Sequence, residues 1–501
     1  KLINIFRPKR TIRFRSLLCN VSSNDVVLGT PRAAPRCCDL HSGGSLASSG
    51  MESVSSLGNL LLQLSEPISE CLANEAYTPH EGSMVSVKAI LESLLPRKIP
   101  PQESAFHATI RDFSMACALL SSSSFKPLTQ DYSGLLSWIP SHLSRLASSA
   151  FYDFSKAYLT AFDDKNSKRV AELGLECDFI PQEQRLMMEL MPEVLLSLKD
   201  IIKESSMDKS DEADEFSAAS ARAPVVYAIV AAYQLRWFIS QVHFPHLGKL
   251  CGLVIPSALT AVDHWSPEVK GQGMISFTHL AKNVDTAELG GYADVILDAC
   301  CQNIAASDEI WCQVAETSIV LVTFVQRNNP RSPWYELILS EMLSHLERQP
   351  RNKERRISWL EYVDSLFDGV ALVLLAHFRR IFPLFFQWMH ADDDETLILV
   401  LKRIFTILRQ TWIRNSPYVE RLVGELVLVY KEAALRKARE EIRAHIQQIL
   451  ILLQQSKGMQ FKAAWDRHRF DPDLSELGQS LVGDNMPAHC NQQSPVPLPI
   501  P

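Results

Sequence analysis

Three small clusters in this chain hold residue types that do chemistry. His243 and His246 flank Pro245 at a spacing that could bring two imidazoles to one metal ion. A metal site needs a third ligand and a fixed frame, and two histidines on a non-helical turn have neither, so the pair is read as structural. Asp392, Asp393, Asp394 and Glu395 form an acidic run suited to a cation. Carboxylates at a helix start are already favoured by the helix dipole, so this run is read as a cap. Cys300 and Cys301 stand in an apolar helix and are read as small core fillers rather than reactive thiols. The 11 cysteines contain no C-x-x-C pair and no histidine at zinc spacing, a scatter that predicts a reduced intracellular protein. The chain has no phosphate-cradling glycine loop, no H-E-x-x-H, no nucleophile elbow and no kinase signature. The residue types therefore predict no catalytic site, no cofactor and no metal.

Recognition chemistry is a different matter. Arg348, Arg351, Lys353, Arg355, Arg356, Arg379, Arg380, Lys402, Arg403, Arg409 and Arg414 concentrate in the last third, together with Trp388 and Trp412. Arg and Trp are the side chains that most often anchor protein interfaces. One reading makes Arg379, Arg380, Trp388, Lys402, Arg403, Arg409, Trp412 and Arg414 a partner-binding strip. The other makes the same charges the solvated face of helices that need some polarity. The formal net charge of −7 argues against direct nucleic-acid binding.

These residues must be held by helices, and the stretch Leu247 to Leu280 shows of what kind. Its first helix carries Leu250, Val254 and Leu259 to Val262 near helical spacing, with Pro256 inside, where a straight helix would lose about 3 kcal/mol. The turn runs from Asp263 to Glu268, with Ser266 at the N-cap and Pro267 at the first helical position. Val269, Gly273, Phe277 and Leu280 mark the buried face of the second helix. Such a unit has one apolar face and cannot stand alone, which is the signature of a HEAT repeat. Pro383 repeats the role of Pro256 at a distance of 127 residues, close to three repeats of about 42. The predicted fold is all-α, an α-solenoid of HEAT-like helical hairpins, with about ten helical pairs in one array.

With 501 residues, 47% of them hydrophobic, the chain can bury an array of this size. Residues 1–50 differ from the rest, with eight Lys or Arg against two Asp and many serines. This basic, disordered leader has two readings: an organelle transit peptide, or an upstream extension of the gene model that is not translated, with Met51 the true start. Residues 51–204 form an N-terminal helical region. The acidic stretch 205–222, SSMDKSDEADEFSAASAR, lacks the apolar side chains to offset its ordering entropy and is expected to be a flexible loop. HEAT repeats fill 223–458, with Gly458 as a helix stop. Residues 459–501 are a helix remnant followed by a disordered tail ending in SPVPLPIP. The apolar stretches 225–240 and 369–388 are broken by Arg236 and by Arg379-Arg380 before the roughly 20 residues of a membrane span. No membrane association is expected.

The segment VIPSALTAVDHWSPEVKGQGMISFTHLAKNV, followed by LGGYADVILDACCQNI and by RRISWLEYVDSLF, resembles the Tel-two-interacting protein two family, the smallest subunit of the Triple T complex. The likeness is best over 225–458, and its specificity lies in the order and spacing of motifs that HEAT proteins share. The resemblance implies a non-enzymatic cochaperone of cytoplasm and nucleus. Its partners would be the Tel-two protein and its first interacting protein. The complex would recruit the ninety-kilodalton heat-shock chaperone and its RuvB-like adaptors to newly made phosphatidylinositol-3-kinase-related kinases of DNA-damage signalling. The family's C-terminal repeats engage the first interacting protein, which puts that contact on the Arg and Trp strip. The alternative is a HEAT adaptor of another kind, such as a nuclear transport receptor or a phosphatase scaffold.

Overall fold

The computed structural model describes residues 46–79, 85–100, 102–129, 132, 134–172, 182–205, 223–306, 308–411 and 416–483. Most of the leader, the acidic stretch from 206 onward, Ser307, Trp412, Arg414 and the tail beyond 483 lie outside these residues. By backbone contacts the chain divides into the units Lys1–Glu52 and Ser53–Pro501, and the helical stack lies within the second.

Eighteen α-helices succeed one another with no strand among the described residues. They are α1 (Leu46–Asn74), α2 (Val87–Leu94), α3 (Glu103–Ser122), α4 (Ser141–Glu172), α5 (Gln182–Glu204) and α6 (Val225–Ser240). Next come α7 (Cys251–Val262), α8 (Pro267–Asn283), the single turn α9 (Thr286–Gly290), α10 (Ala293–Ala306), α11 (Trp311–Val325) and α12 (Pro333–Arg348). The last are α13 (Lys353–Val370), α14 (Phe378–Trp388), α15 (Asp394–Thr411), α16 (Val419–Glu432), α17 (Arg439–Trp465) and α18 (Ser475–Gly483).

The packing sorts them into two rows. Helices α4, α5, α7, α10, α12 and α14 follow one another in the first, with α16 in the equivalent place. Helices α3, α6, α8, α11, α13, α15 and α17 form an unbroken second row. From α5 onward the chain alternates between rows and makes six regular hairpins, an all-α solenoid of HEAT-like repeats. The expected ten pairs are reduced because the amino-terminal helices are long and irregular. Helices α1 and α4 take 29 and 32 residues, and α3 enters the second row before α4 enters the first.

Helix α6 is apolar on every side, and accordingly it is enclosed by α3, α5 and α8. In α7, a 3₁₀ turn over Leu247–Leu250 runs directly into the α-helix, and Pro256 is its sixth residue. Helix α14 repeats this: a 3₁₀ segment over Ala371–His377, then Pro383 as the sixth residue. The equivalence of the two prolines expected from spacing holds, and Pro192 places a third proline inside a first-row helix. Gly273 lets α8 approach α7, since a Cβ there would lie 2.9 Å from Val262 Cγ2 and 3.0 Å from the Val262 backbone nitrogen.

At the carboxyl end one expectation holds and one is corrected. Gly458 ends its helix as expected: it adopts φ 40° and ψ −99°, outside the helical region, and a second helical segment follows across this kink to Trp465. Part of the expected tail is folded, because Leu474, Leu477 and Leu481 recur at spacings of three and four and are buried against the array. Among the described residues the stretch Lys353–Trp388 is long and apolar enough to cross a membrane. It is not one continuous helix, because Ala371 (φ 46°) separates α13 in the second row from α14 in the first.

Candidate interaction surface

Alternation between rows places the short turns 263–266, 308–310, 349–352, 389–393 and 433–438 on one edge of the solenoid. The connections between hairpins at 326–332 and 371–377, and the residues 416–418, fall on the opposite edge. The two edges use their charges differently.

On the turn edge, cations and carboxylates one repeat apart are paired. Arg355 Nη2 lies 2.6 Å from Asp308 Oδ1, and its Nη1 lies 3.0 Å from His345 Nδ1. Arg356 reaches Asp393 at 2.5 Å and donates to Thr396 Oγ1 at 2.9 Å. Arg436 bonds Asp394 at 3.1 Å and the Ala391 carbonyl at 2.7 Å, and the Ala438 N–H donates to Asp394 Oδ2 at 3.0 Å. The expected capping role of the acidic run is met by Asp393, whose Oδ1 accepts from the Thr396 N–H at 2.9 Å. Partial burial works to raise the Asp393 pKa, but bonds from Thr396 and Arg356 hold it below its usual range. For Asp394 the Ala438 N–H is the main cause of lowering. His390, in the same turn, has Nε2 3.0 Å from Glu425 and Nδ1 3.1 Å from Glu432, both on α16. Both ring nitrogens can donate only in the imidazolium form.

In the turn between α7 and α8 the exposed Asp263 is the C-cap residue of α7, its N–H donating to the Leu259 carbonyl at 2.9 Å, and His264 makes the side-chain contacts. His264 is buried, and burial drives its pKa down to about 4. In this neutral ring Nδ1 accepts from the Ser266 N–H at 3.0 Å, leaving the proton on Nε2 to be shared with Ser205 Oγ at 3.1 Å. Ser266 holds the N-cap position but its hydroxyl caps nothing; Pro267 takes the first helical position and Val269 is buried, as expected.

One polar network was not foreseen. Glu268, the second residue of α8, is fully buried. Its Oε2 accepts from Leu128 N at 3.2 Å and from Thr129 N and Oγ1 at 3.0 Å each. Its Oε1 accepts from Tyr233 Oη at 2.7 Å and from Gln272 Nε2 at 3.0 Å. Arg236 donates to Gln272 Oε1 at 2.9 Å and lies over the Phe125 ring at 3.9 Å. The network ties the connection after α3 to α6 and α8. A carboxylate next to a helix-start proline reads from sequence as a solvated dipole partner, and nothing local reveals partners about 140 residues away. The turn-edge ladder did leave a signal, namely opposite charges separated by about one repeat.

The predicted strip divides. Trp388 is 1% exposed, part of an aromatic cluster with Trp359 and Phe385, and its indole N–H donates to the Pro350 carbonyl at 2.8 Å. It belongs to the core, which corrects its assignment to a binding surface. Arg380 on α14 is engaged along the first row with α12, bonding Glu347 at 2.8 Å through both Nε and Nη2, and also Ser340 and Ser344. Arg403 pairs with Asp364, and Lys402 lies 3.4 Å from Glu441. Arg379 and Arg409 remain exposed. Cys300 and Cys301 are buried, and burial pushes the Cys300 thiol up to about 12.

Unpaired cations stand on both edges, Arg351 and Lys437 on the turn edge and four arginines on the second. Arg327 and Arg331 lie in the connection from α11 to α12, Arg379 is the second residue of α14, and Arg409 stands in the last turn of α15. All four are exposed, and none has a hydrogen-bond or ion-pair partner among the described residues. The carboxylates beside them are fewer: Asp294 accepts from the Trp334 indole N–H at 2.8 Å, Glu336 lies 2.9 Å from His377, and Asp368 accepts from the neutral Gln410 amide. Leu337 and Leu372 add exposed apolar surface at 42% and 49%.

Comparison with known proteins gives one strong relative. The chain is 54% identical over 428 residues to an Arabidopsis thaliana protein described as uncharacterized protein At2g39910, covering 85% of this chain and 95% of the relative. No family model matches the chain. Among solved structures, an engineered protein is similar with TM-score 0.36 and 11% identity, over 80% of this chain and 99% of its own. A structure of Kap95p described with RanGDP gives TM-score 0.39 and 11% identity, over 86% of this chain and 65% of its own. A Kap121p mutant gives 0.33 and 11%, over 85% and 48%.

Proposed function

The chain belongs to the family of the Arabidopsis thaliana protein At2g39910, and from that premise we propose that it is a non-enzymatic scaffold, acting as a cochaperone subunit of a Tel-two-containing complex. Its partners in this reading are the Tel-two protein and its first interacting protein, both helical-repeat proteins. Through them it serves the ninety-kilodalton heat-shock chaperone and its adaptors in maturing phosphatidylinositol-3-kinase-related kinases, in cytoplasm and nucleus. The observation that supports this reading is the placement of the three resembling segments. Residues 254–284 span α7 and α8, residues 289–304 run through α10, and residues 355–367 lie in α13. They are parts of consecutive hairpins of one stack, so their order and spacing are those of an uninterrupted array. A stack of this kind offers a long, semi-rigid surface to another repeat protein without chemistry of its own.

The test is affinity purification of the full chain from its native tissue, with partners identified by mass spectrometry. Recovery of the Tel-two protein with its first interacting protein is expected. Recovery of transport cargo or phosphatase subunits in their place would sink the cochaperone reading and leave an adaptor of another kind.

A further inference from the structure

The four unpaired arginines of the second edge are set apart by contrast with their neighbours. In the same repeats Arg355, Arg356, Arg380, Arg403 and Arg436 are all drawn into bonds that join one hairpin to the next. Arg327, Arg331, Arg379 and Arg409 have no partner among the described residues, and topology puts all four on one edge. An exposed arginine by itself is ordinary. Four on one edge outnumber the carboxylates beside them, Asp294, Glu336 and Asp368, and leave a local excess of positive charge on a chain whose net charge is −7. Neighbouring helices of a packed row lie roughly 8–10 Å apart, so the path from the α11–α12 connection past α14 to the end of α15 covers about 20 Å. Leu337 and Leu372 stand at the same edge and supply apolar contact that a simple solvated face would not need.

We propose that this edge, from the α11–α12 connection to the end of α15, docks an acidic segment of a partner protein that carries apolar side chains at intervals. The guanidinium groups pair with its carboxylates, and Leu337 and Leu372 receive its apolar residues. Arginine is suited to this because its planar fork bonds a carboxylate through two parallel N–H groups. The proposal rests on the scaffold reading only in taking the chain to be an interaction protein; it does not depend on who the partner is.

The probe is a fluorescein-labelled peptide of alternating glutamate and leucine clusters, about six residues per 20 Å if extended, titrated with the full chain and followed by anisotropy. A length-matched single-stranded DNA and a lysine-leucine peptide serve as competing probes. The acidic peptide is expected to bind with a strong salt dependence. Combined R327E, R331E, R379E and R409E should weaken it at least tenfold. Reversal of Arg351 and Lys437 on the turn edge should change it less than twofold. Circular dichroism and melting of both variants are compared with wild type. The salt dependence of the wild-type chain gives a readout that does not rely on any variant folding. Absence of binding to the acidic peptide, equal loss in both variants, or preference for DNA overturns the proposal. Acidic-peptide binding without recovery of the Tel-two protein would leave this edge standing and remove the cochaperone reading; the reverse outcome would do the opposite.

Discussion

Replacing Glu268 with alanine is the sharpest probe of how this solenoid holds its amino-terminal part. The substitution deletes an acceptor shared by five donors: the Leu128 and Thr129 N–H groups, the Thr129 and Tyr233 hydroxyls and the Gln272 amide. A buried donor left without a partner costs about 1–3 kcal/mol, though admitted water and local relaxation keep five such losses from adding. Arg236 would also lose a nearby opposite charge, and breaking a buried charged network commonly costs about 3–5 kcal/mol. The carboxylate's favourable position at the start of α8 adds up to about 1 kcal/mol. We therefore expect E268A to lose about 3–5 kcal/mol. E268Q should lose about 1–2 kcal/mol, since its oxygen can keep the three bonds at the Oε2 site and the Tyr233 hydroxyl can turn to accept. A stacked array does not have to unfold all at once, so a local measurement is preferred to a single melting curve. Amide hydrogen exchange reads it directly: the Leu128 and Thr129 N–H groups should be strongly protected in wild type and exchange rapidly in E268A. Full protection of both amides in E268A, or a loss below about 0.5 kcal/mol, would refute the claim that this carboxylate pins the connection after α3.

Three further outcomes are expected. Partial burial opposes protonation of His390, but its bonds to Glu425 and Glu432 outweigh that and raise its pKa. The stability it contributes is therefore complete below its ordinary pKa of about 6.5 and lost as pH rises through the higher folded value. Exchange of α16 amides, corrected for intrinsic rates, should accelerate as pH rises above about 6.5 in wild type and not in H390Q; parallel profiles would exclude the clamp. Gly273→Ala should destabilise by about 1–2 kcal/mol despite alanine's better helix propensity, because the added methyl meets the α7 backbone. Gly424→Ala in α16, with open space at its Cβ, should stabilise by about 0.5–1 kcal/mol, and a melting temperature moving the same way in both would contradict the packing account.

Periodicity made much of this fold legible. Pro256, Pro267, Val269 and Pro383 act through backbone geometry and apolar spacing, which are local properties, and the structure puts them where their spacing said. The all-helical class, the hairpin as a unit and the capping role of Asp393 came from the same short-range signals. Leu474, Leu477 and Leu481 show the limit of that method, since three leucines in a polar segment become a helix only because α17 gives them a surface to cover.

The division of the charged and aromatic residues was decided by tertiary structure. Trp388 and Arg379 belong to one short helix, and sequence alone offered both to a partner. One faces the core and bonds Pro350, and the other faces water. The same holds for Arg380, Arg403 and Glu268, which reach partners 33, 39 and 140 residues away. A side chain's chemistry is fixed by its type, but its availability depends on which neighbours the stacking brings within about 3 Å, the range over which a hydrogen bond forms. Local spacing could therefore determine the repeat, and only the packed array could determine which of its charges are spent on holding it together and which are left for a partner.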